Sequence, residues 1–280
     1  MVCSIIWTLS LGMLSILQYS YGEIPNDNVI KPNSTGYIEI NNVKLYYEIF
    51  GKGSPLLYLH GGLSSSQDFQ KYMAEFSKYF EVITVDRRGH GRSFDNNETY
   101  SYSSMADDMN LFLEYLKIDS AFVIGWSDGG VVGYHLASKY PAKVKKLIAV
   151  GANYLVGGMA NSVIKWITDH MTVEGISNSY PEVEKEYKKL NPNPENFEDF
   201  IYKTRNMWLH DPYIPKEDFI KIKASVLLVA GDKDDIRLEH MLEMHSLLQN
   251  SQLCILPNTT HFLFDEYHDI IADVLIEFLK

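Results

Sequence analysis

The 280-residue chain contains little cysteine, and its positive charges are outnumbered by its negative ones. Its two cysteines, Cys3 and Cys254, are too few for a disulfide framework. Lysines and arginines number 25 against 36 aspartates and glutamates, which gives a formal net charge of −11. That balance disfavours nucleic acid and anionic membrane surfaces as partners. The sequence has no internal repeat or low-complexity tract, and its length suits one large α/β domain with an insertion.

Long apolar runs are confined to the N-terminus. Residues 5–17 are almost wholly apolar, and the first 22 residues carry no charged side chain. Because Ser20 and Gly22 are small residues at the positions that a signal peptidase reads, we expect residues 1–22 to be a signal peptide cleaved after Gly22. The mature protein would then be secreted or periplasmic, without stable membrane insertion. The alternative is a protein anchored by an uncleaved N-terminal segment, although the apolar run is short for a full span.

The most informative stretch joins a buried strand to a helix. Residues 121–124 form a short apolar run, typical of a parallel strand buried on both faces. Apolar residues at helical spacing then run from Val131 until Pro141 ends them. Between the two, residues 125–129 (GWSDG) match the G-x-S-x-G nucleophile elbow. The pattern predicts Ser127 as a nucleophile lifted out of the sheet, with the free N–H groups of the following helix facing an oxyanion.

Predicted strands and helices alternate along most of the chain. A hairpin over residues 37–50, with its turn at Asn41-Asn42, comes first. The further predicted strands are 55–59, 81–85, 121–124, 144–150, 224–230 and 252–256. This order predicts an α/β fold, with a mostly parallel central sheet and helices on both of its faces.

Residues 153–223 interrupt the alternation. They contain short helical patches, several prolines and exposed-looking aromatic and methionine side chains, namely Trp166, Met171, Tyr187, Phe197, Met207 and Trp208. We interpret this segment as a helical cap inserted over the active site, and residues 23–152 and 224–280 as the core. The alternative is an additional helical layer with no role in binding.

Four further motifs accompany the elbow. They are HGG at 60–62, DRRGHGRS at 86–93, GDKD at 231–234 and His261 near the end. With the elbow, and in this order, they resemble the α/β-hydrolase fold family over about residues 37–280. Within that family the set is most similar to small serine esterases and to haloperoxidase-like and valacyclovir-hydrolase-like members.

The base that activates Ser127 should be a histidine, because imidazole titrates near neutral pH. The Ser–acid–His order of the family leaves four candidates, His240, His245, His261 and His268. His240 and His245 fall within a predicted helix, facing partly outward, and His268 falls within the last helix. His261 follows the last strand at the carboxyl edge of the sheet, where open α/β sheets bind ligands, so we assign the base to His261.

The acid and the oxyanion hole are assigned partly by resemblance. Three carboxylates follow strand 224–230, namely Asp232, Asp234 and Asp235. The resemblance favours Asp234 as the group that fixes the imidazole tautomer, and we interpret its neighbours as turn or capping residues. The oxyanion hole requires two N–H groups: the amide of Asp128 and, by resemblance, that of Gly62.

Two features around this site are interpreted as structural. By resemblance, His60 braces the loop that carries Gly62, and the DRRGHGRS motif is a structural turn rather than an anion site.

The carboxylate of Asp128 has two interpretations. It caps the helix that follows the elbow, or it faces the pocket and pairs with a cationic group of the substrate.

These residues predict a serine hydrolase that cleaves a small carboxylic ester, or an amide or amino-acid ester, through an acyl-enzyme on Ser127. Alternative reactions of the same triad are perhydrolysis and carbon–carbon bond hydrolysis. A different class is a non-catalytic ligand-binding protein on this fold. The expected partner is a small-molecule ester, and the reaction requires neither a metal nor an organic cofactor. The acidic loop 232–235 lacks the glycine and the terminal glutamate of a calcium loop.

Overall fold

The structure, a computed structural model, describes residues 30–266 and 268–280. The predicted signal peptide over residues 1–22 lies outside the described residues. Within the described part, eight strands form one sheet in the order β1-β2-β4-β3-β5-β6-β7-β8. The strands are β1 Ser34–Ile40, β2 Val43–Gly51, β3 Ser54–Leu59, β4 Phe80–Val85, β5 Ala121–Trp126, β6 Val144–Val150, β7 Ser225–Gly231 and β8 Ser251–Leu256. β2 pairs antiparallel with β1 and β4, and the other neighbouring strands pair in parallel.

Helices follow most of the strands. They are α1 Gln70–Phe76, α2 Tyr102–Tyr115, α3 Asp128–Lys139, α4 Asn161–His170, α5 Val173–Ser179, α6 Pro181–Leu190, α7 Phe197–His210, α8 Lys216–Phe219, α9 Leu238–Leu247, α10 Leu263–Glu266 and α11 His268–Leu279. A 3-10 turn over Ser66–Phe69 leads into α1. Among the described residues, no helix has the length and apolar character that crossing a membrane requires.

The central strands of the sheet are buried on both faces, which explains their apolar sequences. Alternate side chains of a strand point to opposite faces, so Val123 of β5 packs in one core with residues of α2 and α3. Ile124 packs in the other core with residues of α1 and α11. Full burial of a large apolar side chain stabilises the fold by about 1.5–3 kcal/mol, so a polar residue on either face would be costly. The expected fold class, a mostly parallel sheet covered on both faces, is confirmed.

The predicted hairpin forms with its turn at Asn41 and Asn42. Both residues have positive φ, 49° and 59°, as a two-residue type I′ turn requires and as asparagine tolerates. The turn places Ile40 opposite Val43, and both side chains are buried. The antiparallel end of the sheet therefore has the register that its apolar pattern predicts.

The segment between β6 and β7 consists of short helices, α4 to α8. A β-bridge between Met159 and Ile236 joins it to the residues that follow β7. Most of the aromatic and methionine side chains expected to be exposed here are buried, namely Met171, Tyr187, Phe197 and Met207. That expectation was wrong because these helices pack against one another, as in the stacked rings of Tyr187 and Phe200. Trp166 and Trp208 are partly buried.

Candidate active site

Loops that follow four parallel strands meet at the carboxyl edge of the sheet. The loops after β3, β5, β7 and β8 carry Gly62, Ser127, Asp234 and His261, respectively. Neighbouring parallel strands end at the same edge, so residues far apart in the sequence come together there. The structure thus brings the sequence-assigned site residues into one place.

The loop after β5 is a strained turn. Ser127 has φ 52° and ψ −120°, a backbone conformation that costs a non-glycine residue about 1–3 kcal/mol. Its N–H donates to the carbonyl of Val150 at 2.7 Å, which holds the turn in place. A Cβ atom on Gly125 would lie 2.3 Å from the carbonyl oxygen of Gly129, and one on Gly129 would lie 2.0 Å from that of Leu59. Only glycine fits at these two positions.

Ser127, His261 and Asp234 form one hydrogen-bonded chain. Nε2 of His261 lies 2.9 Å from Oγ of Ser127, and Nδ1 lies 2.8 Å from Oδ1 of Asp234. Since an ionised carboxylate only accepts hydrogen bonds, Nδ1 carries a proton, and in the neutral imidazole Nε2 is left to accept the serine hydroxyl. The fully buried carboxylate of Asp234 also accepts from the N–H groups of Ile236 and Gly231 at 3.0 and 3.3 Å, which fixes its orientation.

The charges around His261 favour its protonated form. Burial opposes the imidazolium, but the charge and hydrogen bond of Asp234, followed by the charges of Asp235 and Asp128, outweigh it and raise the pKa of His261 to about 9. The pKa of His261 therefore lies above the near-neutral value of an ordinary imidazole. The reason is that three carboxylates act on one imidazole.

The two residues predicted to form the oxyanion hole, Gly62 and Asp128, line the cavity beside Ser127. Asp128 is the first residue of α3, where a helical N–H has no intrahelical acceptor. Within the described residues, neither the N–H of Asp128 nor that of Gly62 donates to a backbone carbonyl. A Cβ atom on Gly62 would lie 2.5 Å from Cζ2 of Trp208, so the loop can approach the cap this closely only with glycine. The oxyanion-hole assignment stays a prediction.

The carboxylate of Asp128 does not cap the helix. Its Oδ1 accepts from the hydroxyl of Tyr102 at 2.7 Å, and its Oδ2 accepts from the indole N–H of Trp208 at 3.0 Å. Nη2 of the buried Arg87 lies 3.9 Å from Oδ2. The interpretation of Asp128 as a helix N-cap was wrong because its carboxylate binds side chains outside α3, namely Tyr102 on α2 and Trp208 on α7. Both of its oxygens are already bound by protein donors.

His60 braces the loop after β3. It is fully buried, and its Nε2 accepts from the backbone N–H of Arg87 at 3.0 Å. Burial, and then the charge of Arg87, hold the pKa of His60 well below its ordinary value. The carboxylate of Asp86 accepts from the N–H of Ser66 and from Arg92, each at 2.8 Å. The HGG loop and the DRRGHGRS motif are thus joined by internal bonds.

Two of the other candidate histidines lie away from Ser127. His240 is only 2% exposed and stacks on the ring of Tyr154 with 4.9 Å between centroids. Its expected outward orientation was wrong because α9 packs this face against the segment after β6. His245 is exposed, and its Nδ1 lies 2.8 Å from Oγ of Ser251. Neither histidine can act on the Ser127 hydroxyl from these positions.

The neighbours of Asp234 have different environments. Asp232 is exposed and accepts from the N–H of Thr259 at 3.1 Å, as a turn residue does. Asp235 instead lines the cavity together with Ser127 and His261. Sequence reasoning missed this residue, because its place depends on the bridge that holds the backbone after β7 against the cap.

A cavity of about 150 Å³ lies above Ser127. The cap supplies most of its apolar wall, with Met159, Val163, Trp166, Ile167, Ile176, Tyr180 and Val183. Its lining includes the carboxylates Asp68, Asp128 and Asp235, and among the described residues no lysine or arginine lines it. The arrangement suits a small, largely apolar molecule without negative charge.

Comparison with known proteins agrees with this fold. Residues 54–173 match the family model of the alpha/beta hydrolase fold. The human serine hydrolase BPHL is 27% identical over 258 residues, which cover 85% of this chain and 85% of that protein. The AB hydrolase superfamily protein YisY of Bacillus subtilis is 28% identical over 258 residues, which cover 85% of this chain and 96% of that protein.

Solved structures show the same architecture. The meta-cleavage product hydrolase CumD of Pseudomonas fluorescens superposes with a TM-score of 0.75 at 21% identity, covering 91% of this chain and 98% of that one. The sheet order, the turn that carries Ser127 and these matches define one class of protein, and the chain has the α/β-hydrolase fold. Its relatives include a named serine hydrolase.

Proposed function

We propose that this protein is a serine hydrolase that cleaves a small carboxylic ester through an acyl-enzyme on Ser127. The observation that carries the proposal is the chain of two hydrogen bonds from Ser127 through His261 to Asp234, at 2.9 and 2.8 Å, on the floor of the cavity. A protein that only binds a ligand has no need for a nucleophile, a base and an orienting acid in this geometry.

The reaction follows from the positions of these groups. Nε2 of His261 takes the hydroxyl proton as Oγ of Ser127 attacks the ester carbonyl carbon. The carbonyl oxygen becomes an oxyanion, which the N–H groups of Gly62 and Asp128 stabilise. The C–O bond to the alcohol then breaks, and His261 donates its proton to the leaving oxygen. His261 then takes a proton from water as it attacks the acyl-enzyme, and returns that proton to Oγ of Ser127 as the bond between Oγ and the acyl carbon breaks and the acid is released.

The size of the cavity supports a short substrate. About 150 Å³ between apolar cap side chains suits a short acyl chain with a small alcohol. The relative BPHL is named a serine hydrolase, which agrees with the proposed chemistry and leaves the substrate open.

A panel of 4-nitrophenyl esters tests this proposal. We expect the purified protein to hydrolyse the acetate and the butyrate with a higher kcat/KM than the octanoate, because the longer chain exceeds the cavity. Initial rates from nitrophenol release give the comparison. An octanoate preference would contradict the small-ester proposal, and the absence of enzymatic hydrolysis for all three esters would contradict the esterase proposal itself.

Hydrolysis should depend on a group that titrates above pH 6.5. His261 must be neutral to accept the proton of Ser127, and its pKa is raised from 6.5 to about 9. We therefore expect kcat/KM for a short neutral alkyl ester, measured by pH-stat, to be low below pH 6.5 and to increase with pH towards a plateau.

Two variants check the cause of that shift. Asp235→Asn removes one of the charges that raise the pKa of His261, so the midpoint should move to lower pH. Glu239→Gln removes an exposed charge on α9 and should leave the midpoint in place. A wild-type midpoint at or below pH 6.5, unchanged in Asp235→Asn, would contradict this electrostatic account.

A further inference from the structure

Among the carboxylates that line the cavity, Asp235 differs in having no protein partner. Asp128 is bound by Tyr102 and Trp208, and Asp68 accepts from the hydroxyl of Ser64. In the part of the chain that the structure describes, the carboxyl group of Asp235 makes no hydrogen bond or ion pair. Burial raises its pKa above the ordinary value, and the charge of His261 only partly opposes this. A partly buried carboxylate without a donor is stabilised when a cation enters beside it.

Aromatic rings of the cap lie near this carboxylate. Tyr180 lines the same cavity, and burial followed by the charge of Asp235 raises the pKa of Tyr180 to about 12. The ring of Trp166 meets that of Tyr180 edge to face, with 5.4 Å between centroids, and Trp166 also lines the cavity. A carboxylate and two aromatic rings around one space form the kind of surrounding that binds ammonium groups.

The position of Asp235 indicates which part of an ester would carry the charge. In the proposed reaction, the oxyanion lies at the N–H groups of Gly62 and Asp128, whereas the leaving alcohol lies near Nε2 of His261, which protonates it. Asp235 directly follows Asp234, whose carboxylate lies 2.8 Å from Nδ1 of His261, and Asp235 lines the cavity together with His261. Asp235 is therefore on the alcohol side of the scissile bond.

We infer that Asp235 is a specificity-determining residue that binds a positively charged amine or quaternary ammonium group in the alcohol portion of the substrate. This inference rests on the proposed function. The two acids, which both line the cavity, then have different roles. Asp128 joins the cap to the core, and Asp235 pairs with the substrate.

Matched esters test this inference. The first pair is 2-(trimethylammonio)ethyl acetate and its neutral isostere, 3,3-dimethylbutyl acetate. Because the cation also improves the leaving group, the quantity to compare is the ratio of the two kcat/KM values between protein variants at one pH. We expect Asp235→Asn to lower the ratio roughly tenfold to a hundredfold, as for a charge pair in a partly desolvated pocket. Asp235→Glu should retain most of it, and Glu239→Gln should leave it unchanged.

A second pair carries the charge on the acyl side, ethyl trimethylammonioacetate and ethyl 3,3-dimethylbutanoate. Its ratio should change little in Asp235→Asn. If Asp235→Asn lowered the ratio for the second pair but left the ratio for the first pair unchanged, the assignment of the charge to the alcohol portion would be overturned. A ratio that falls in Asp128→Asn but not in Asp235→Asn would overturn the choice of residue.

The neutral esters separate failure of this inference from failure of the proposed function. If wild-type protein hydrolyses them and Ser127→Ala does not, the proposed function holds, and an unchanged first ratio in Asp235→Asn then overturns this inference alone. If no ester is hydrolysed in a Ser127-dependent way, the proposed function fails and this inference fails with it. Circular dichroism of each variant identifies any change in ratio that comes from misfolding.

Discussion

Ser127→Ala should abolish ester hydrolysis, with a decrease in kcat of several orders of magnitude. The substitution removes a single atom, Oγ, which lies 2.9 Å from Nε2 of His261 and is the proposed nucleophile. Alanine keeps the Cβ atom and is smaller than serine, so it fits the crowded turn between β5 and α3. We therefore expect the variant to fold normally, with a circular dichroism melting curve close to that of the wild type.

A second serine provides the matched control for this loss. Ser138 lies on α3 outside the cavity, and its hydroxyl donates to the carbonyl of Asp218 at 3.1 Å. Ser138→Ala should keep hydrolysis close to the wild-type level. An active Ser127→Ala protein would show that the elbow does not carry the nucleophile.

Asp234→Asn should lower kcat by about ten-thousandfold with little change in KM. The carboxylate accepts the Nδ1 proton of His261 at 2.8 Å. An asparagine amide turned to donate to Nδ1 would favour the other tautomer, which places the proton on Nε2. That nitrogen could then no longer accept the hydroxyl proton of Ser127. Substrate binding does not depend on the tautomer, so KM should remain similar.

Asp232→Asn is the control for the acid. Asp232 lies two residues earlier, is exposed, and accepts the N–H of Thr259 as part of a turn. Its substitution should reduce kcat far less than Asp234→Asn does. If Asp232→Asn caused the large loss and Asp234→Asn did not, the assignment of the acid would be wrong, and the hydrogen bond seen between Asp234 and His261 would not reflect the working enzyme.

The parts of this protein that could be predicted from sequence have local causes. β6 runs over Val144–Val150 as predicted, and its apolar residues 147–150 are buried on both faces of the sheet. The glycines at 125 and 129 mark the elbow because a Cβ atom there would meet backbone atoms of the turn and of β3. Chain order and the position of His261 after β8 then bring it to Ser127.

The parts that sequence could not provide depend on contacts between distant segments. Trp208 meets Asp128 only because α7 folds back over the elbow, and that contact decides against a helix cap. The burial of His240 depends on the segment after β6 packing on α9. The raised pKa of His261 combines the charges of residues on two loops, Asp234 and Asp235 after β7 and Asp128 after β5, and no single motif contains them.

The most direct test of the central claim is to map the adduct formed by a fluorophosphonate. Such a reagent reacts with an activated serine to give a stable covalent phosphonate, and peptide mass spectrometry locates it. We expect one adduct per chain, on the peptide containing Ser127, together with complete loss of hydrolysis, and no adduct on the Ser127→Ala protein. An adduct on another residue, or full hydrolytic activity in an unlabelled protein after prolonged treatment, would contradict the assignment of Ser127 as the nucleophile.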